Sequence, residues 1–283
     1  MHQALIHKIL GNDVKAITPL SGGDINAVYR VSLANQEGVI KLNQASKFPE
    51  MLAKEKHGLE LLAASNTVKV PEVWGQELQG DWQYLWLEYI SSGNCTHFFW
   101  DNFGRKLAEL HSTSTSLFGL ETDNYIGSIV QVNTQMNRWA DFFVNCRLIP
   151  QLKRAVDNKV INRDELRRIE AIANYCEDLW PVEPPALIHG DLWSGNYLVG
   201  ENQVPVLIDP AVYYGHREMD LGMMLLFGGF DDRLFDVYRS VFPLESGWRS
   251  RIPYNQLYPL LVHLNLFGRG YLGQIHAIVR QFS

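Results

Sequence analysis

The feature that most constrains this chain is the run His189-Gly190-Asp191-Leu192-Trp193-Ser194-Gly195-Asn196, followed by two short apolar runs that end on Asp209. The apolar runs, residues 197–199 and 204–208, flank Gly200-Glu201-Asn202-Gln203, which is turn material, and so predict a β-hairpin. Asp209 lies thirteen residues after Asn196, and antiparallel pairing returns it to the same open end of the hairpin. Asp191, five residues before Asn196, sits on the loop that feeds that end.

An amide oxygen beside a carboxylate makes a partial shell for Mg²⁺, which takes hard oxygen ligands and completes its octahedron with water and nucleotide phosphates. A further carboxylate close by can orient and deprotonate an attacking hydroxyl. An Asp, an Asn five positions on and a second Asp at a strand end is the order of phosphoryl-transfer sites in kinases. Here Pro210-Ala211 follows the second Asp in place of Phe-Gly. Asp191 is therefore the candidate base, and Asn196 and Asp209 are the candidate metal ligands. Singly, these residues also read as a turn former, a strand cap and a loop acid, and it is their joint spacing that favours chemistry.

The rest of the chain divides by periodicity. Leu5, Ile6, Ile9 and Leu10 predict a short helix stopped by Gly11. Residues 14–20, 25–33 and 38–42 predict strands, broken at Ser21-Gly22-Gly23 and at Asn35-Gln36-Glu37. After Pro49, placed for a first helical turn, residues 50–64 carry Leu52, Leu59, Leu62 and Ala63 on one stripe, and residues 70–74 and 83–90 predict two more strands. Ser91-Ser92-Gly93-Asn94 is a polar break, which places an N-terminal lobe at 1–90 and a C-terminal lobe at 91–283. Beyond it, helical periodicity covers 98–111, 139–156 and 164–179, the last led by an N-cap near Asn162. The expected fold class is α+β, an antiparallel sheet with a helix followed by a mainly helical lobe.

Three features of the first lobe fit nucleotide binding. Ser21-Gly22-Gly23-Asp24-Ile25-Asn26 connects two strands, and its glycines let backbone N–H groups approach phosphate, although a Gly-Gly hairpin is common in its own right. Lys41 sits on the next strand, facing the same side as Val39. It is either an edge-strand lysine or a phosphate-binding cation held by a carboxylate of the following helix, with Glu55 the first candidate and Glu60 the second. The apolar strand running into Glu88, Tyr89 and Ile90 is either plain core or the connector whose backbone meets the adenine.

Composition narrows the function classes. With 46% hydrophobic and 12% aromatic residues in 283, the chain has ample core material. A net charge of −6, without any run of five or more like charges, offers no footprint for nucleic acid. Cys95, Cys146 and Cys176 lie far apart, with neither disulfide nor zinc spacing, and fit a reducing cytoplasm. No signal-peptide pattern or membrane-length apolar stretch is present in the sequence.

These motifs resemble the fructosamine (ketosamine) kinase family, within the aminoglycoside-phosphotransferase and protein-kinase-like superfamily, over nearly the whole chain. The most specific element is the run 189–196, in which Trp193 and Ser194 set this family apart from other relatives. Gly22 to Asn26, Phe118-Gly119 with Asn124-Tyr125-Ile126-Gly127, Trp139 to Phe143 with Arg147, Asp209-Pro210-Ala211 and Gly215 to Leu221 are similar too. The resemblance implies a two-lobed kinase-like fold and ATP- and Mg²⁺-dependent phosphorylation of the C3 hydroxyl of a ketosamine, after which the adduct decomposes and frees the amine. It implies Asp191 as base, Asn196 and Asp209 on metal, and Lys41 with Glu55 as the nucleotide ion pair. Asp24 stands where some relatives carry a cysteine, so thiol regulation at that turn does not carry over.

Trp193 either stacks on a sugar face or packs beneath the loop. Glu218 and Asp220 either attract a cationic amine or brace the catalytic loop, and for Asp220 bracing is the preferred reading. The motifs leave open the acceptor's sugar and amine. Alternatives are a phosphotransferase for another small hydroxylated amine, of aminoglycoside, choline or homoserine type, and a catalytically silent nucleotide-binding regulator.

Overall fold

Five runs rich in β-branched and aromatic residues before residue 90 pair into one antiparallel sheet. The structure, a computed structural model, describes residues 2–11, 13–20 and 25–281, so Gly22, Gly23 and Asp24 lie outside the described residues. Helix α1 (His2–Leu10) ends at Gly11, whose φ of 82° only glycine adopts without strain. Strands β1 (Ala16–Pro19), β2 (Ala27–Ser32) and β3 (Glu37–Gln44) lead to helix α2 (Met51–Ala64), and β4 (Val73–Gln79) and β5 (Trp82–Glu88) follow. The sheet order is β1-β2-β3-β5-β4, with every neighbouring pair antiparallel.

Two boundaries differ from expectation. The strand predicted at 70–74 lies at 73–79, because Pro71 has no N–H to pair, and the left-handed Gly80 closes a hairpin into β5. Helix α2 begins at Met51, outside Pro49, because the intervening Glu50 has a φ of 57° and is not helical. Strand β3 sits between β2 and β5, which rules out the edge-strand reading of Lys41. Its pleat sends Ile40 and Leu42 into a small core with Ile6, Val31 and Trp86, and sends Val39 and Lys41 to the opposite face.

The chain then becomes helical. Helix α3 (His97–His111) is capped by Thr96, and a short hairpin, β6 (Asn124–Ile126) and β7 (Ile129–Gln131), follows it. Helices α4 (Trp139–Phe142) and α5 (Ile149–Asp157) are joined by a π-helical turn, Phe143–Leu148, where an unbroken helix was expected. That wider turn carries Arg147, which is fully buried, lies 3.8 Å over the Tyr213 ring and donates to Asn133 Oδ1 at 2.8 Å. Helix α6 (Arg163–Glu170) opens with a capping box between Asn162 and Glu165. It gives way to a 3₁₀ turn, Ala171–Tyr175, short of the expected 179, and a repeat of three residues keeps Ile169 and Ile172 on one buried face.

Strands β8 (Ala186–Ile188) and β11 (Tyr213–Gly215) pair with each other, and the predicted hairpin is β9 (Tyr197–Val199) with β10 (Pro205–Leu207). Helices α7 (Glu218–Phe227), α8 (Asp232–Val241), α9 (Trp248–Phe267) and α10 (Leu272–Val279) complete the fold. The main core runs from Leu52, Leu59 and Leu85 under the sheet to Phe103, Leu187, Leu207 and Leu257, so sheet and helices share one apolar interior. No helix among the described residues is long and apolar enough to cross a membrane.

His216 is buried in this interior, and its Nδ1 accepts a hydrogen bond from Glu218 N–H at 3.3 Å, which requires the neutral ring. Burial pushes its pKa down to about 3. The unfolded chain therefore binds the proton first, so stability from this group is full above about 6.5 and is lost as the pH falls toward 3. Urea unfolding between pH 8 and 5 should show stability falling below pH 6.5 with a slope approaching about 1.4 kcal/mol per unit for each such histidine. Replacing His216 with Gln should flatten that slope.

Candidate active site

The loop between β8 and β9 is shaped by one glycine and one buried acid. Gly190 has a φ of 82°, and a Cβ there would lie 2.1 Å from the Ala211 carbonyl oxygen. The His-Gly-Asp order thus lets this loop lie against the segment that follows Asp209. Asp220 on α7 accepts from the backbone N–H of His189 at 2.8 Å and of Gly190 at 2.9 Å, and its carboxylate also meets His111 Nε2 at 3.2 Å. Burial opposes its charge, but these hydrogen bonds, with His111 foremost, hold the carboxyl below its ordinary pKa. Asp220 therefore braces the loop. His189 ties the loop to β10 by donating Nε2–H to Ile208 O at 2.9 Å, while its Nδ1 accepts from Asp191 N.

The hairpin does what its spacing predicted. Ile208 N–H donates to Asn196 O at 3.0 Å, which extends the ladder by one step and sets Asn196 and Asp209 side by side at its open end. Asn196 Nδ2 donates to Asp191 O at 2.8 Å and to Asp191 Oδ2 at 3.1 Å, so its amide oxygen is turned away from that contact. Asp209 takes a left-handed φ of 54°, uncommon for a non-glycine residue and found where surrounding structure over-determines it. The surroundings are visible: Gln131 Nε2 donates to Ala211 O, Asn124 Nδ2 to Val212 O, and Tyr258 and Arg147 complete the same buried network through Gln131 and Asn133.

Lys41 reaches from β3 to contact Glu55 Oε1 at 2.5 Å and Asp209 Oδ1. Burial works against its charge, but the carboxylates of Asp209 and Glu55 outweigh that and hold the ammonium above its ordinary pKa. Glu60, the second candidate partner, instead pairs with Lys56 on the surface of α2. Desolvation at the cleft floor, and next the facing Asp209 carboxylate, push Asp191 up to about 7, against the hydrogen bond from Asn196.

Two cavities meet over these residues. One, of about 470 Å³, lies under Val28 and Val39, above Leu198 and Ile208, and beside the Glu88, Tyr89 and Ile90 connector. The other, of about 370 Å³, is walled by Asn26 and Ile25, by Tyr125 and Ser128 of the β6–β7 hairpin, and by Phe267 at the end of α9. Glu55, Trp193, Asn196 and Asp209 line both, whereas Lys41 lines only the first and Asp191 only the second. Trp193 is 42% exposed, its ring covers the Cα of Gly195, and it lines both cavities.

Glu218 is a correction. It is fully buried and grips Arg251 through both carboxylate oxygens, at 2.6 and 3.0 Å, with Asn255 Nδ2 at 3.3 Å. A carboxylate so engaged joins α7 to α9 and has no surface left for substrate. Tyr125, Ser128, Lys54 and Phe267 were not singled out as site residues in the sequence. They come from elements that only tertiary packing brings to Asp191, and no local spacing marks them.

The fold is that of the protein-kinase-like small-molecule phosphotransferases. A crystal structure of a thermostable mutant of aminoglycoside phosphotransferase APH(4)-Ia superposes with a TM-score of 0.69 at 18% identity, covering 100% of this chain and 99% of that one. The chain belongs to the fructosamine kinase family, whose model, described as Fructosamine kinase, matches residues 1–283. It is similar to a putative fructosamine-3-kinase of Thermobifida fusca, with a TM-score of 0.88 and 36% identity over 98% of this chain and 96% of that one. It is 37% identical to a probable ketoamine kinase of Enterococcus faecium, covering 94% of this chain and 95% of that protein. It is 36% identical to the chloroplastic protein-ribulosamine 3-kinase of Arabidopsis thaliana, covering 95% and 83%.

Gly190→Ala should lower stability by about 1–3 kcal/mol from backbone strain alone, and by more once the clash with Ala211 O is added. Differential scanning fluorimetry reads this as a fall in Tm. Gly228→Ala, at a φ of 68° with nothing within 4 Å of the position its methyl would take, is the matched control in which only strain acts.

Proposed function

We propose that this enzyme transfers the γ-phosphoryl group of ATP to the C3 hydroxyl of a ketosamine and thereby promotes loss of the sugar from the amine. The observation that carries this reading is the meeting of two cavities at Asn196 and Asp209, one lined by Val28, Val39, Leu198 and Ile208 beside Lys41 and the other by Asp191 with Asn26, Tyr125 and Ser128. Residues 1–90 serve as the nucleotide lobe and residues 91–283 as the catalytic and substrate lobe. Adenine lies between Val39 and Leu198 beside the Glu88 to Ile90 connector, and Lys41, positioned by Glu55, contacts the phosphates. Ile25 and Asn26 line the cleft, and they belong with Gly22, Gly23 and Asp24 to the turn assigned to phosphate binding in this reading.

Asn196 and Asp209 fit Mg²⁺: they supply hard oxygens, the Asn196 amide nitrogen is committed to Asp191, and the Asp209 side chain is 43% exposed to the cleft. Bound there, Mg²⁺ neutralises charge on the phosphates of ATP. Asp191 orients the acceptor hydroxyl and takes its proton, a task suited to a carboxyl held near neutrality. Trp193 offers its indole face to the sugar and keeps it in line with the nucleotide. The intact base argues against a silent nucleotide-binding regulator, and the family match favours ketosamines over aminoglycosides, choline or homoserine. A reducing, cytoplasmic setting suits three unpaired cysteines.

Asp191→Asn should lower turnover on fructosyl-lysine by about 10²- to 10⁴-fold while calorimetry shows ATP binding nearly intact. Asp209→Ala should weaken ATP binding in the presence of Mg²⁺ and leave the metal-free affinity much less changed. Near-wild-type turnover in Asp191→Asn would remove the base assignment.

A further inference from the structure

The acceptor cavity holds a cation that the chemistry above does not use. On α2, Met51, Lys54 and Glu55 share the face that lines this cavity, and Lys54 lines it without lining the nucleotide cavity. The acids around it are committed elsewhere. Glu55 and Asp209 both hold Lys41, and Asp191 accepts from Asn196. The ion pair that Lys54 itself makes is with Glu50 at 4.0 Å, four residues earlier in the chain, and the Glu50 side chain is 76% exposed. A pair of that length and exposure neutralises little of the ammonium's charge. Glu50 also stands before the first helical residue in a left-handed conformation, without a side-chain cap to fix it.

A weakly paired ammonium in a concave, half-apolar site raises the local concentration of anions and strengthens any hydrogen bond it makes to one. We propose that Lys54 selects acceptors that carry an oxyanion away from the reacting hydroxyl. The inference rests on the ketosamine-kinase reading and deepens it by naming the charge class of the substrate. Two sources share this chemistry: the carboxylate of an adduct formed on an amino acid, and a phosphate on the sugar of the adduct.

The test compares kcat/KM for three acceptors, fructosyl-glycine, fructosyl-glycinamide and the 6-phosphate of fructosyl-glycinamide, in the wild type, Lys54→Gln and Lys54→Arg. The wild type should favour at least one anionic acceptor over the neutral amide by about tenfold, the usual worth of a charge-assisted hydrogen bond. Preference for fructosyl-glycine assigns the carboxylate, and preference for the 6-phosphate assigns the sugar phosphate. Lys54→Gln should bring that ratio close to one by lowering kcat/KM for the anionic acceptor more than for the neutral amide, and Lys54→Arg should restore most of the preference. Comparing ratios between variants cancels the different basicities of the acceptor amines. A wild-type ratio near one for both anions overturns the proposal. So does an equal loss on neutral and anionic acceptors in Lys54→Gln, which would assign the ammonium to the transferred phosphoryl group or to the helix. If none of the three acceptors is phosphorylated while ATP binds, the ketosamine reading itself falls, and this inference with it.

Discussion

The ammonium of Lys41 lies between the carboxylates of Glu55 and Asp209, and in doing so joins three elements of the structure. Strand β3 supplies the cation, α2 supplies one acid, and the hairpin of β9 and β10 delivers the other. A buried ammonium is costly to desolvate, so this arrangement persists only because two acids flank it. The same contact fixes Asp209 against the cleft floor, and Asp209 in turn helps keep the Asp191 carboxyl close to neutrality. One charged contact thus links β3, α2 and the hairpin and also bears on the protonation of Asp191.

Around that contact the protein spends buried polar groups on rigidity. Asp220, His111 and His189 hold the loop before Asp191, and Arg147, Asn133, Asn124 and Gln131 hold the segment after Asp209. Both networks anchor backbone. They explain how Gly190 and Asp209 remain in left-handed conformations without the loop relaxing. The Glu218–Arg251 pair performs the same service one layer further out, where it joins α7 to α9.

The sequence made the hairpin and its three polar residues legible because antiparallel pairing converts spacing into proximity, and Asn196 and Asp209 meet as that rule requires. Lys41 and Glu55 were legible for a similar reason, since pleat and helical repeat each fix a face. Glu218 misled because a run of charged residues beside a catalytic motif looks the same whether its acids face substrate or a buried arginine thirty-three residues on. Helix α9 escaped the periodicity altogether: Pro253 and Pro259 lie inside it, and it is apolar on several faces because it is buried. With it went the placement of Phe267, and that of Tyr125 and Ser128 on the same cavity as Asp191 was hidden in the same way, through contacts between elements far apart in the chain.

The central claim, that Asp191 directs phosphoryl transfer to one particular hydroxyl of a ketosamine, is tested most directly by identifying the product. Incubation of the enzyme with ATP, Mg²⁺ and fructosyl-lysine, followed by phosphorus–proton correlation NMR, locates the new phosphate. The account predicts a phosphate coupled to the proton on C3 of the sugar, followed by the appearance of free lysine as that ester decomposes. A phosphate on any other hydroxyl, with the lysine still attached, would contradict it.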